Sequence, residues 1–215
     1  MFSLAWNYQG TLGYVVRKSS ILGAGPVVAT SLGSLATSSG AGPFTPQGVD
    51  NFDTTATEGY FIGCDNVSYG LLQIRRVSNP GGTPSVSSNI SLTVPTTDAP
   101  MTVPHLGNTG GTNGNLDALD DRLYAGVIRN GRLWTAHNIG VNSSGTTTSP
   151  TRDGSRWYEI GNLSTTPTLI QSGTVYDNTG GVRNYWIPSV NVSAQGHVAL
   201  GFSVAPEGLE AIVAK

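Results

Sequence analysis

Lysine is almost missing from this chain: Lys18 and Lys215 are the only two, and glutamate occurs four times. Charged residues make up 11% of the 215 residues, against roughly 25% in an ordinary soluble domain. The residues that build solvated helix faces are therefore scarce, which argues against a helical bundle. One cysteine, Cys64, excludes a disulfide framework and any paired-cysteine zinc motif. The net charge of −2 leaves no basic footprint for nucleic acid. No apolar run approaches the roughly 18 residues that span a bilayer as a helix. Met1–Trp6 carries no charged leader region and no small-residue cleavage site, so it does not read as a signal peptide. A mature secreted chain, or a piece of a longer one, would begin the same way.

Turn formers and strand formers fill the space. Glycine (29) and proline (12) together are about 19% of the chain, where average usage gives roughly 12%. Hydrophobic residues reach 38% and aromatics 8%, too many for an intrinsically disordered chain of small net charge. Period-2 alternation recurs, and helical periodicity does not. Tyr14–Arg17, Val27–Ala29, Tyr60–Cys64, Leu71–Val77 and Ser85–Val94 read as strands. Leu123–Arg129 and Arg132–Ala136 flank Asn130-Gly131, the strongest short-range hairpin signal, because both turn positions need positive φ. Trp157–Ile160 and Leu169–Tyr176 follow. A second hairpin is expected between Ile187–Ser193 and His197–Val204. The polar stretches Thr30–Gln47, Thr96–Asp121 and Asn142–Pro150 read as inter-strand loops, and no domain boundary is visible.

Two segments echo each other: Gly70–Ile74 with Thr83–Val86, and Arg156–Ile160 with Thr166–Leu169. Four-stranded antiparallel repeats with glycine and aromatic punctuation are the signature of propeller blades. The expected fold is all-β and β-propeller-like, a single domain of about four blades or partial blades over residues 1–35, 42–95, 116–177 and 183–215. Strands at Phe2–Trp6 and Leu209–Val213 would leave open blade edges at the two ends.

The runs Gly42–Asp50, Leu116–Leu123, Arg129–His137 and Tyr185–Val190 resemble a family of uncharacterised bacterial, predicted secreted β-propeller-like proteins. The resemblance covers most of the chain. It implies the fold and an extracellular or cell-envelope location, and no activity. Thr151–Trp157 also resembles, imperfectly, the Asp-box hairpin of sialidase-like propellers, with Thr for Ser and one residue fewer between Asp153 and Trp157.

Candidate chemistry is sparse. Asp117, Asp120 and Asp121 follow a Gly/Asn-rich loop and could offer oxygens to Ca²⁺, although their spacing matches no standard loop and a turn-capping cluster is the simpler account. His105, His137 and His197 would have to converge to hold zinc. Trp134, Trp157, Tyr185 and Trp186, with His137 beside them, are the candidate ligand contacts, able to stack on sugars at a rim; the alternative is blade packing. A retaining sialidase needs a tyrosine nucleophile, a glutamate and an arginine cluster. Tyr158 or Tyr185, Glu159, and Arg129, Arg132, Arg152, Arg156 and Arg183 could supply them, with no spacing that fixes the set. Cys64, inside an apolar strand, reads as a small buried hydrophobe. The leading expectation is a non-catalytic extracellular binding or structural module for a carbohydrate or a protein ligand. A glycosidase-like enzyme is the alternative. A protein that self-associates through open edges is a second.

Overall fold

The computed structural model describes residues 10–36 and 40–206. The expected strands Phe2–Trp6 and Leu209–Val213 lie outside them. Among the described residues the chain is all-β, with one short α-helix and one 3₁₀ turn, Gly111–Gly114. The strands are β1 (Thr11–Val16), β2 (Ala29–Ala36), β3 (Pro43–Gly48), β4 (Asp50–Asn51), β5 (Glu58–Asp65), β6 (Leu71–Ser78), β7 (Ser85–Val86) and β8 (Ile90–Thr93). They continue with β9 (Ala125–Arg129), β10 (Arg132–Val141), β11 (Arg152–Gly161), β12 (Thr168–Val175), β13 (Arg183–Val192) and β14 (Val198–Pro206). The helix α1 (Lys18–Leu22) sits between β1 and β2.

Four sheets form, and none closes on itself. β1 pairs with β2. β3, β5, β6 and β7 form the next sheet, with β8 also on β6. The third runs β12-β11-β10-β9-β4, and β13 pairs with β14. All pairings are antiparallel except β4 on β9, where Asp50 meets Val127 and Asn51 meets Ile128. Strand β4 lies in sequence between β3 and β5, yet joins the neighbouring sheet. Just beyond it, the Asp53 carboxylate accepts the backbone N–H of Asn130 and of Gly131, both at 2.7 Å. Those two residues are the turn between β9 and β10, at φ 52° and 70°. This is the mirror-image turn that Asn-Gly predicts. The β13–β14 hairpin also forms where expected.

Two expectations need correction. The Ser/Gly-rich stretch Thr30–Gln47 is not a loop throughout, since it holds most of β2 and of β3. Pairing of Phe44 with Cys64 and of Pro43 with Asp65 sets β3 as an edge strand, where proline is tolerated and local propensity yields to the neighbouring strand. The Asp-box-like Thr151–Trp157 is not a hairpin. From Arg152 onward it is the first half of β11, with Asp153 opposite Gly140 and Ser155 opposite Val175. A segment paired on both sides has no freedom to turn.

The third sheet is the middle layer. On one face Leu133, Ile128, Tyr158 and Ile160 pack with Ile62, Leu72, Ile74 and Leu92 of the β5–β6 sheet. On the other, Val127, Trp134, Ala136 and Trp157 pack with Val190, Val192 and Leu200 of the β13–β14 hairpin. Every residue of β10 from Leu133 to Val141 is consequently buried. A strand covered on both faces reads as a buried run instead of an alternation. Here the run contains Thr135, His137 and Asn138.

The β13 face is held by polar contacts as well as apolar ones. The Asn138 amide donates to Ala118 O, and its oxygen accepts the Ile187 N–H. The Asn184 oxygen accepts the Asp153 N–H, and the Ser155 hydroxyl donates to Tyr185 O. Ile187 sits at φ 48°, rare for a β-branched residue, in the bulge between Trp186 and Ser189. Asn138 anchors that strained point. Asn138→Ala leaves the buried Ala118 carbonyl and the part-buried Ile187 N–H unpaired and should destabilise the chain by about 1–3 kcal/mol. Urea unfolding reads this as a lower midpoint at unchanged slope.

Asp153 is fully buried. Its Oδ1 accepts the Met101 N–H, while Oδ2 has no partner. Burial pushes its carboxyl up to about 7, partly opposed by the Met101 hydrogen bond. A carboxyl raised on folding adds nothing unfavourable while neutral and loses stability as pH rises from the unfolded value through the folded one. Asp153→Asn keeps the acceptor and cannot ionise. Between pH 4 and pH 8, wild type should lose stability relative to this variant by on the order of 3 kcal/mol. Urea unfolding of both proteins at each pH checks this; parallel pH curves would refute it.

Candidate functional site

Strand β5 ends where its pattern turns polar, at Cys64 and Asp65, and there the chain opens a cleft of about 310 Å³. Phe44, Asp65, Ser68, Tyr69, Asp120 and Asp121 are among the residues that line it. Tyr69 presents half of its surface to solvent, at 55%. Asp65 is a scaffold: its carboxylate accepts from Gly42 N–H, the Gln73 amide and Val67 N–H. Asp120 clasps Arg122 through both oxygens, at 2.7 and 2.6 Å, and that guanidinium lies 5.7 Å from the Phe44 ring centre.

Asp121 differs from both. Its carboxylate is partly buried at the back of the cleft, with the Thr97 hydroxyl 3.5 Å away. Burial, and then the charge of Asp120, push its carboxyl up to about 6. Behind it lies a sequestered pair. The Cys64 thiol donates to the Asp121 carbonyl at 2.8 Å, and His137 Nδ1 lies 2.5 Å from that same oxygen. A carbonyl only accepts, so Nδ1 carries the proton. Nε2 then accepts from the Tyr158 hydroxyl at 2.9 Å. Burial pushes His137 down to about 4 and the Cys64 thiol well up, so both are neutral near pH 7.

The expected calcium set comes apart. Asp117 accepts the Leu119 N–H in a local turn, and Asp120 is committed to Arg122, which leaves Asp121 alone. Among the described residues, the one group of three or more potential ligands is Cys64, Asp121 and His137. The three histidines do not converge: His105 bonds Leu106 O and Gly114 O in the 96–121 loop, and His197 is exposed in the turn just before β14.

The expected aromatic rim is not assembled either. Trp134 and Trp157 stack at 5.9 Å between the third sheet and β13, and Trp186 is buried against Val103 and Ala118. Tyr185, half-buried, packs on Phe202. His137 is wholly buried. These side chains hold layers together, because alternating aromatics on a sheet covered on both faces point into one interface or the other.

The arginines are dispersed. Arg129 covers Phe52, Arg132 faces Glu159, Arg152 bonds Asp177 O, and Arg156 bonds Thr174. Tyr158 and Glu159, as strand neighbours, face opposite sides: the tyrosine meets His137, while the glutamate meets Gln171. Sequence reasoning missed Cys64, Asp65, Tyr69, Thr97 and Tyr158 as a group. The available signal was the lone cysteine beside an aspartate at a strand end.

Cys64 should resist Ellman's reagent at pH 8 in the folded protein and react fully, one thiol per chain, in denaturant. Rapid labelling without denaturant would show that the pair is open to solvent. The chain matches no family model, no curated protein and no solved structure.

Proposed function

We propose that this protein is a non-catalytic extracellular or cell-envelope binding module, and that its ligand surface is the Asp121 cleft. The observation that carries the reading is the pairing, in one open cleft, of a half-exposed aromatic ring, Tyr69, with the Asp121 carboxylate, beside the Asp120–Arg122 pair. Aromatic faces stack on the apolar faces of sugar rings, and carboxylates accept from sugar hydroxyls. A carbohydrate is thus the ligand class the cleft fits best. Apart from β4, the sheets follow one another in chain order, and β13 packs across β9, β10 and β11. This succession supports a propeller-like arrangement of blades. Glycan-array screening followed by calorimetry tests the reading. A bound glycan whose affinity falls at least about tenfold in Tyr69→Ala, consistent with the loss of one stacking contact, is the expected result. No retained glycan, or equal binding by that variant, would overturn it.

A second reading rests on a different observation. The β1–α1–β2 segment exposes Leu12, Tyr14, Val16, Leu22 and Val27, each at least 44% accessible. An apolar surface of this kind favours self-association. Light scattering on a sizing column separates a 22.3 kDa monomer from a dimer or larger assembly.

A further inference from the structure

Behind the cleft wall, three electron-rich side chains crowd one point. Cys64 Sγ and His137 Nδ1 are 3.4 Å apart, and these atoms and an Asp121 carboxylate oxygen all lie within 4.8 Å of one another. Their protons converge as well: the thiol and the Nδ1–H both aim at the single Asp121 carbonyl oxygen. We propose that this cluster is a binding site for one thiophilic divalent cation of the zinc class, held by Cys64 Sγ, His137 Nδ1 and the Asp121 carboxylate.

The donor chemistry selects the ion. A thiolate, an imidazole nitrogen and one carboxylate are zinc-type ligands, whereas Ca²⁺ and Mg²⁺ take oxygen sets. The spacing agrees. With bonds of about 2.3 Å to sulfur and about 2.0–2.1 Å to nitrogen, tetrahedral geometry sets S and N roughly 3.6 Å apart, against 3.4 Å here. To admit the ion the Asp121 carbonyl must swing off Sγ and Nδ1, and the carboxylate, tied by the 3.5 Å Thr97 contact and by hydrogen bonds with Cys64 and its own backbone, turns in to take its place.

Charge balances too. The thiol proton leaves to solvent, and the resulting thiolate and carboxylate neutralise a dication in a buried place. The ring proton passes from Nδ1 to Nε2 by exchange with solvent, so the ring stays neutral and the thiol proton is the only one released. The Tyr158 hydroxyl then turns from donor to acceptor. This is the outer hydrogen bond that metal-bound histidines usually make. Arg156, against Thr174, is the nearby cation that opposes binding, while Asp120 and Asp121 favour it. Three protein ligands leave a fourth position for water from the cleft side, where Asp121 forms the wall.

The inference does not depend on a glycan, and its test reads a different signal. Co²⁺ is titrated into the intact wild-type chain. Cys64 is the only cysteine, so a sulfur-to-cobalt charge-transfer band can come from no other residue. The expected result is that band, growing to one Co²⁺ per chain, together with tetrahedral d–d bands, and displaced by Zn²⁺. Tyr158→Phe should keep the band and weaken Zn²⁺ about 10- to 100-fold. Co²⁺ or Zn²⁺ bound without the thiolate band, or no stoichiometric binding at all, would overturn the proposal. The two readings share Asp121, but the cobalt band reads Cys64 in the absence of any glycan and Tyr69→Ala reads the glycan in the absence of any metal, so they fail separately.

Discussion

The middle sheet is buried on both faces, and most of what is unusual here follows from that. Strand β10 has no solvent side from Leu133 to Val141. Its polar residues must find partners in the layers above and below. Asn138 does so towards β13, and His137 towards Tyr158 and Asp121. An unpaired buried polar group costs about 1–3 kcal/mol, so these residues fix how the neighbouring layers sit as firmly as the apolar ones do. Hydrophobic contacts bring the layers together, and the polar contacts choose the register.

The same constraint explains what the sequence made legible. The hairpins were readable because their information is local: Asn130-Gly131 needs two positive φ values, and the strands beside it alternate or run apolar. The edge strands β2 and β3 were not, because serine, glycine and proline carry little strand propensity and those strands exist through their partners. The aromatic residues were visible as candidates. Whether a tryptophan on a strand faces solvent depends on whether another layer lies above it, and nothing within β10 or β11 encodes the presence of β13.

The site was the least legible part. Cys64 lies 57 residues from Asp121 and 73 from His137, so no motif window contains the set. Each residue alone had an ordinary reading: a buried hydrophobe, a turn carboxylate and a structural histidine. The acidic trio looked like a unit because its members are close in sequence. The fold then gave each a different task, one capping a turn, one holding Arg122 and one closing the back of the cleft. Proximity along the chain was the misleading signal, and convergence of two strands, β5 and β10, with the loop before β9 the informative one.

The crossing of β4 has a meaning for modularity. Sheets that each took all their strands from one stretch of chain could be duplicated, lost or exchanged as whole units. Here the segment that builds the second sheet lends a strand to the third and sends Asp53 on to clasp its hairpin turn, 77 residues further along. The boundary between structural layers and the boundary along the gene therefore do not coincide. Cutting the chain between β8 and β9 would leave β4 without its sheet in one piece and the third sheet without β4 in the other, so for recombination the indivisible unit is the pair of sheets and not the single one.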